Sequence, residues 1–272
     1  MAVVGHVEWI EFVRVERVPR PGDIVHASQR WELPGGGGAV AAVQLAKLAG
    51  GATLFTAFGD DELGHRAHDE LSAMGLRVES TYRPEPQRRG FVFIDADGER
   101  TITVIGDRLG PAMADPLPWE DLASTAGVYF TAGDDGALRA SRSAGAVVAT
   151  SRVFDQLARA GVALDALVAS GRDRGERFDL EALRPPPSLV VLTEGGSGGT
   201  WQRPGEEPVH FDPAPLPGPG GDAYGAGDSF AAGLTFGLAS RMASGEAVAL
   251  AAKCGAACRA GTGPYETQLR LV

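Results

Sequence analysis

The sequence predicts an α/β fold, with a central, mostly parallel β-sheet covered by helices on both faces and a small antiparallel β lid beside it. Three observations carry this expectation. Along the 272 residues, short, β-rich, nearly continuous apolar runs alternate with helix-like stretches, the rhythm of βαβ units whose parallel strands are buried on both faces. Two regions, near 12–31 and 90–105, break that rhythm and read as paired strands. Hydrophobic residues make up 44% and charged residues 22%, the balance of a folded globular chain long enough to bury a substantial core.

Taken in order, the main-sheet strands are expected over 2–7, 53–58, 127–131, 146–150, 166–169 and 189–193. Helices are expected over 39–49, 62–74, 137–143, 153–159, 229–239 and 246–260. The first two lid strands are placed over 12–18 and 23–31, separated by the turn signal Pro19-Arg20-Pro21-Gly22. The second pair, 90–95 and 100–105, flanks Ala96-Asp97-Gly98-Glu99, a short hairpin loop. The chain thus reads as one domain over 1–272, with lid strands drawn from about 11–33 and 88–106.

The formal net charge of −10 argues against a nucleic-acid partner, which usually demands a basic patch. A small anion stays compatible, because backbone donors can hold phosphate whatever the net charge. No apolar run reaches the roughly 20 residues that span a bilayer, and residues 1–10 lack the basic, apolar pattern of a signal peptide. A cytoplasmic protein without a membrane partner is therefore expected. Cys254 and Cys258, four apart in an Ala-rich stretch, read as buried helical thiols, since no second pair completes a metal site.

Chemistry concentrates over 220–230, where a glycine-rich loop runs into a helical pattern marked by Phe230, Leu234 and Leu238. Such a loop presents unpaired N–H groups and the positive dipole end to an anion. Small residues at Gly225, Ala226 and Gly227 let a phosphate approach the backbone. Asp228 follows at the helix start. A carboxylate beside bound phosphate is unfavourable for binding alone, but it suits a base that takes the proton of an attacking hydroxyl. The alternative is a plain capping Asp.

Gly225-Ala226-Gly227-Asp228-Ser229-Phe230 resembles the C-terminal signature of the ribokinase (PfkB) family of sugar and nucleoside kinases. Similar stretches follow the family's order along nearly the whole chain: Val4-Gly5-His6-Val7, Val18-Pro19-Arg20-Pro21-Gly22-Asp23, Pro34-Gly35-Gly36-Gly37-Gly38-Ala39 and Phe58-Gly59-Asp60-Asp61-Glu62-Leu63-Gly64. The resemblance implies a ribokinase-like fold and an ATP- and Mg2+-dependent kinase, with a monovalent cation such as K+ as a further candidate. It makes Asp228 the catalytic base and the backbone of Gly225, Ala226 and Gly227 the anion hole. Thr193, Gly195 and Gly198 would lie along ATP, and Gly35, Gly36 and Gly37 would let substrate hydroxyls approach the backbone. Lys253 falls in the adenine-side helix, though a surface lysine is the default reading.

Three departures bear on the acceptor. Ile10 stands where the family has an Asp that holds sugar hydroxyls; Glu8 and Glu11 flank it, and Glu8, nearer the strand end, is the candidate substitute, with a solvated lid-edge acid as the alternative. Val40 replaces the Asn that ends the glycine signature at the substrate. The N-x-x-E motif tied to magnesium is replaced near Ser170-Gly171-Arg172-Asp173, leaving Asp173 as the metal candidate and Glu176 as an alternative. Tyr224 stands in place of a small polar residue and is expected to pack on the nucleotide. The reading that results is a kinase acting on a hydroxyl of a sugar or related small molecule. A nucleoside kinase, with Val40 and Trp9 against a base, and a non-catalytic ligand-binding protein on the same fold are the alternatives. The lid edges suit a homodimer.

Overall fold

A computed structural model of the protein describes residues 1–176 and 179–271. The chain runs β1 (Ala2–Val4), β2 (Glu8–Arg14), β3 (Gln29–Gly35), α1 (Gly36–Ala49), β4 (Thr53–Gly59), α2 (Glu62–Ala73), β5 (Arg77–Arg83), β6 (Arg89–Ile94), β7 (Arg100–Ile105) and β8 (Val128–Phe130). It continues through α3 (Asp135–Ser141), β9 (Val147–Thr150), α4 (Phe154–Ala160), β10 (Ala166–Ser170), β11 (Val190–Thr193), β12 (Gly199–Gln202), β13 (Val209–Phe211), α5 (Ala226–Ala239) and α6 (Ser244–Arg259).

Among the described residues the large sheet has the order β13-β12-β11-β10-β9-β8-β1-β4-β5. Its strands pair in parallel from β5 to β11, and β12 and β13 close one edge antiparallel. The apolar strands divide their side chains by period two. Val3 and Leu54 join Leu45, Leu71, Leu234 and Val248 on the face covered by α1, α2, α5 and α6. Ala2, Val4 and Phe55 join Leu138 and Leu157 on the face covered by α3 and α4. The expected α/β class is the one observed.

The small sheet has the order β3-β2-β6-β7. Two antiparallel pairs, β2/β3 and β6/β7, meet through a parallel β2–β6 contact. Its inner face is apolar and continuous with the body. Ile10, Phe12, Val92 and Ile94 form one buried cluster with Val40 of α1 and Tyr224 of the 220–225 loop. Phe12 stacks on Trp31 and meets Tyr224 edge-on, both at 5.0 Å between centroids.

The lid lies where expected, but its first pair is displaced. The strands lie at Glu8–Arg14 and Gln29–Gly35 rather than 12–18 and 23–31, in a register that sets Glu8 opposite Gly35 and Arg14 opposite Gln29. The turn signal at 19–22 falls inside a longer, largely exposed connection. Burial decided this: Trp9, Ile10 and Phe12 are at most 1% exposed, so pairing begins where the apolar residues do. For the same reason β1 stops at Val4 and the chain passes through Gly5–Val7 into the lid. Strands β5, β12 and β13 were not anticipated. β5 reads Arg-Val-Glu-Ser-Thr-Tyr-Arg with little apolar character, and β12 and β13 are short strands at the other edge.

Because the lid and the body share one core, they should unfold together. Phe12→Ala is expected to lower stability by about 3–5 kcal/mol, read as one shifted denaturation transition. A separate early transition for the lid would contradict the shared core.

Candidate active site

The loop 220–225 enters α5 through Gly225, whose left-handed backbone (φ 78°) is the N-cap of the helix. The first intrahelical bond runs from the Ser229 N–H to the Gly225 carbonyl at 2.9 Å. The N–H groups of Ala226, Gly227 and Asp228 therefore lack partners within the helix. A Cβ placed on Gly227 would meet nothing within 4 Å, so open space lies in front of this first turn. These are the makings of an anion site at a helix N-terminus.

Two contacts tie that turn to the glycine run opening α1. The Gly36 N–H donates to the Tyr224 hydroxyl at 2.9 Å. At Gly37 a Cβ would lie 2.8 Å from Asp228 Oδ1 and 3.0 Å from Thr131 Oγ1, so only glycine lets the carboxylate sit there. The loop itself is braced by Asp222, which is 1% exposed and accepts from the N–H groups of Tyr224 (3.0 Å) and Gly263 (2.7 Å). From the lid, the Gly98 carbonyl accepts from Ala223 N–H at 3.0 Å, and Glu99 pairs with Arg259 at 2.7 Å. The β6–β7 hairpin tip thus rests on the segment that leads to Asp228.

The site is charged. Burial pushes the Asp228 carboxyl above the ordinary aspartate value, opposed by the positive charges of Arg152, His6 and Arg100 and assisted by Glu8. Glu8 is 7% exposed and pairs with Arg88 Nε at 2.7 Å and with His6 Nε2 at 3.5 Å. Burial alone would raise its pKa, but the His6 hydrogen bond and the charges of His6, Arg88 and Arg108 outweigh it and hold the carboxyl below its usual value. Arg108 is exposed and borders a cleft of about 330 Å³ with Gly110, Ala132, Gly133, Asp134 and Gln156. Among the described residues it makes no hydrogen bond or ion pair, while feeling both Glu8 and Asp228.

Thr193 ends β11, and its hydroxyl donates to the Ala169 carbonyl at 3.2 Å. The turn that follows closes with Glu194 N–H donating to Gly198 O at 2.8 Å. Gly198 has φ 76°, and a Cβ there would lie 2.0 Å from Phe211 O, so the turn needs glycine for its own closure. Gly195 begins the single 3₁₀ turn within it. At the end of β13, Phe211 packs on Phe230 of α5 at 5.9 Å, which sets this turn on the flank of α5. Lys253 is exposed on α6.

Of the residues singled out from sequence, Glu8, Gly36 and Gly37 lie around Asp228, and Gly35 ends β3 opposite Glu8. Val40 does not face the acceptor space. It is fully buried, 2.9 Å from where a Gly225 Cβ would stand, and it supports the turn from below. Ile10 is likewise lid core, wedged between Gly35 and Gly90. Tyr224 does not pack on a nucleotide: it is 5% exposed, and its ring fills the lid core. Trp9 is 1% exposed, with the Arg66 guanidinium 4.2 Å over its ring, and is not available to stack on a base. Asp173 is engaged by Arg152 and by Gly175 N–H, and Arg152 also pairs with Glu176 at 2.8 Å. Sequence reasoning missed His6, Arg88, Arg108 and Arg152, because none belongs to a local spacing pattern and each is brought in by a different loop.

Removing the Tyr224 hydroxyl would leave a buried N–H without an acceptor. Tyr224→Phe should cost about 1–3 kcal/mol in denaturant unfolding; an unchanged midpoint would show that the two glycine segments hold together without this bond.

The sequence pattern of the pfkB family carbohydrate kinases matches residues 1–150 and 179–269. The intervening segment, which carries Arg152, Asp173 and Glu176, lies outside that match. An ATP-dependent ribose-1-phosphate kinase from Halopiger xanaduensis is 29% identical, over 93% of this chain and 89% of its own. The ribokinase of Cryptococcus neoformans in complex with ADP superposes with a TM-score of 0.76 at 21% identity, covering 99% of this chain and 96% of that one. The adenosine kinase of Sinorhizobium meliloti superposes with a TM-score of 0.77 at 22% identity, covering 100% and 95%. The chain belongs to the pfkB family of carbohydrate kinases and is an ATP-dependent phosphotransferase acting on a hydroxyl of a sugar or related small molecule.

Proposed function

We propose that the acceptor is a sugar that already carries an anionic group, a sugar phosphate, and that Asp228 is the base of the transfer. The observation that carries the acceptor class is Arg108. It is an exposed arginine that borders a cleft and feels the charges of Glu8, Arg88 and Asp228, with no carboxylate paired to it among the described residues. A guanidinium in that position suits a phosphate dianion, which accepts its fork of donors. The Halopiger relative, an ATP-dependent ribose-1-phosphate kinase, supports the same class. A nucleoside acceptor finds less support, because Trp9 and Val40 are both buried. A purely ligand-binding role leaves the charge of Asp228 beside an anion site unexplained.

In the proposed reaction the acceptor hydroxyl oxygen attacks the γ-phosphorus of ATP. The new O–P bond forms as the bond to the β-phosphate oxygen breaks, the hydroxyl proton passes to Asp228, and ADP leaves. The N–H groups of Ala226, Gly227 and Asp228 would take the charge developing on the transferring group. Glu8, held ionised by His6 and Arg88, would orient acceptor hydroxyls near Gly35, Gly36 and Gly37. The turn from Thr193 through Gly195 to Gly198 would flank the nucleotide. Asp173 and Glu176 both pair with Arg152, so as it stands this pair does not fit Mg2+. No other residue of the chain is proposed as a ligand for Mg2+ or K+. We further propose one catalytic unit over 1–272, with the exposed edge strand β7 as a homodimer surface.

Asp228→Asn should bind ATP normally and lose turnover by about 10²–10⁴-fold, the usual worth of a positioned base. In the unmodified enzyme kcat should fall as pH drops through the Asp228 pKa, and because burial raises that pKa the acid limb should lie above the ordinary aspartate range. Near-normal phosphorylation by the variant would sink the assigned base.

An ADP-release screen across sugars, sugar phosphates, nucleosides and polyols tests the acceptor. Arg108→Ala should raise KM for the sugar phosphate by roughly ten- to a hundredfold, the loss of a charged hydrogen bond, with KM for ATP unchanged. Equal effects on phosphorylated and unphosphorylated acceptors would contradict the proposal.

A further inference from the structure

Asp173 and Glu176 project from the loop after β10 and together form an Asp-x-x-Glu pair. Arg152, in the 3₁₀ turn Ser151–Val153 after β9, reaches across to both. Its Nε stands 2.8 Å from Glu176 Oε1, and its Nη2 donates to Asp173 Oδ2. The remaining oxygens are occupied as well. Glu176 Oε2 accepts from Ser151 Oγ at 3.0 Å and from Ser170 N–H at 2.8 Å, and Asp173 Oδ1 accepts from Gly175 N–H at 2.8 Å. Glu176 is 8% exposed, so its charge is paired and hydrogen-bonded in the way that burial demands.

Two carboxylates three residues apart, aimed at one point, are the arrangement that would serve a cation. Here the cation is part of the chain. We infer that Arg152 is the resident cation of the transfer site, filling the place between Asp173 and Glu176 that a protein-held metal ion would need and presenting its free donors to the transferring phosphoryl group. A guanidinium has five N–H donors, and the pairs with Asp173 and Glu176 engage only its Nε and Nη2. The side chain is 44% exposed, so a ligand can reach the remainder. Arg152 is also foremost among the positive charges that act on Asp228, ahead of His6 and Arg100, with Glu8 opposing. Arg152 follows β9, the parallel neighbour of β8, and Thr131 just after β8 lies with the Asp228 carboxylate at Gly37, so an arginine held at this end of the sheet is placed to offset charge on a phosphoryl group in flight. The whole arrangement lies in 151–178, outside the family match, so it is read from this chain's own residues.

The inference deepens the reading of Asp228 as the base, and its test separates the two. In Mn2+ titrations without nucleotide, followed by electron paramagnetic resonance, the unmodified protein should show no site at this pair. Arg152→Gln should gain one Mn2+ site, and Arg152→Gln with Glu176→Gln should lose it again. In steady-state assays Arg152→Gln should lower kcat by about 10²–10³-fold with the acceptor KM little changed, Arg152→Lys should restore part of the loss, and the acid limb of kcat in Arg152→Lys should stay closer to that of the unmodified enzyme than in Arg152→Gln. A folded Arg152→Gln enzyme with near-normal kcat, or one that gains no Mn2+ site, would overturn the inference. Should Arg152→Gln fail to fold, Arg152→Lys carries the decision, since an unaltered kcat there would show that the guanidinium fork makes no contact with phosphate. Loss of the Asp228 assignment alone would appear as turnover surviving in Asp228→Asn, with the Mn2+ result unaffected.

Discussion

The site depends on the close approach of two backbone segments, the glycine run that opens α1 and the loop that opens α5. Gly36 gives its N–H to the Tyr224 hydroxyl at 2.9 Å, and Gly37 leaves room for the Asp228 carboxylate 2.8 Å from where a Cβ would stand. Interiors are packed closely enough that such a gap cannot be opened by one methyl group without moving a neighbour. Bringing both segments together at the ends of the central strands exposes the first N–H groups of α5 and sets Asp228 beside them. The lid is bound into the same junction, through the core around Tyr224 and through Gly98 and Glu99 on the loop below.

Charge is the second constraint. The reacting region holds Glu8, Asp228, Asp173 and Glu176 against His6, Arg88, Arg100, Arg108 and Arg152. Burying such groups costs more than attraction returns unless each is paired and hydrogen-bonded. Glu8 meets that condition with Arg88 and His6, and Asp173 and Glu176 meet it with Arg152. Asp228, Arg100 and Arg108 are the members without a direct ion-pair partner among the described residues. Asp228 is suited to accept a proton and Arg108 to receive an anion, so two of the three unpaired charges are those to which the proposed chemistry assigns a role.

Much of the architecture was legible beforehand because it is local. The period of the apolar residues located the six buried strands and the helices to within a few residues, since a parallel strand buried on both faces has little choice but to be apolar. The edge strands β5 and β13, and β12 beside β13, carried no such mark, being partly exposed and mixed in composition. In the lid, the turn signal at 19–22 pointed to a tight hairpin, yet burial of Trp9, Ile10 and Phe12 pulled the pairing back to Glu8 and left 15–28 as a long connection.

The sequence by itself determined the βαβ class, the glycine-to-helix turn at 225–228 and Asp228 as the acidic group beside it, because each rests on neighbours within one turn or one strand. Only the tertiary structure decided the surroundings of that group. Val40 became a prop beneath Gly225, Tyr224 a tie between glycine segments, and Asp173 the partner of Arg152. His6, Arg88, Arg108 and Arg152 come from four separate places in the chain and meet only when the sheet and the lid are assembled. Long-range electrostatics leaves no trace in residue spacing, and that is why the reaction was legible in the sequence while the charge pattern that meets the acceptor was not.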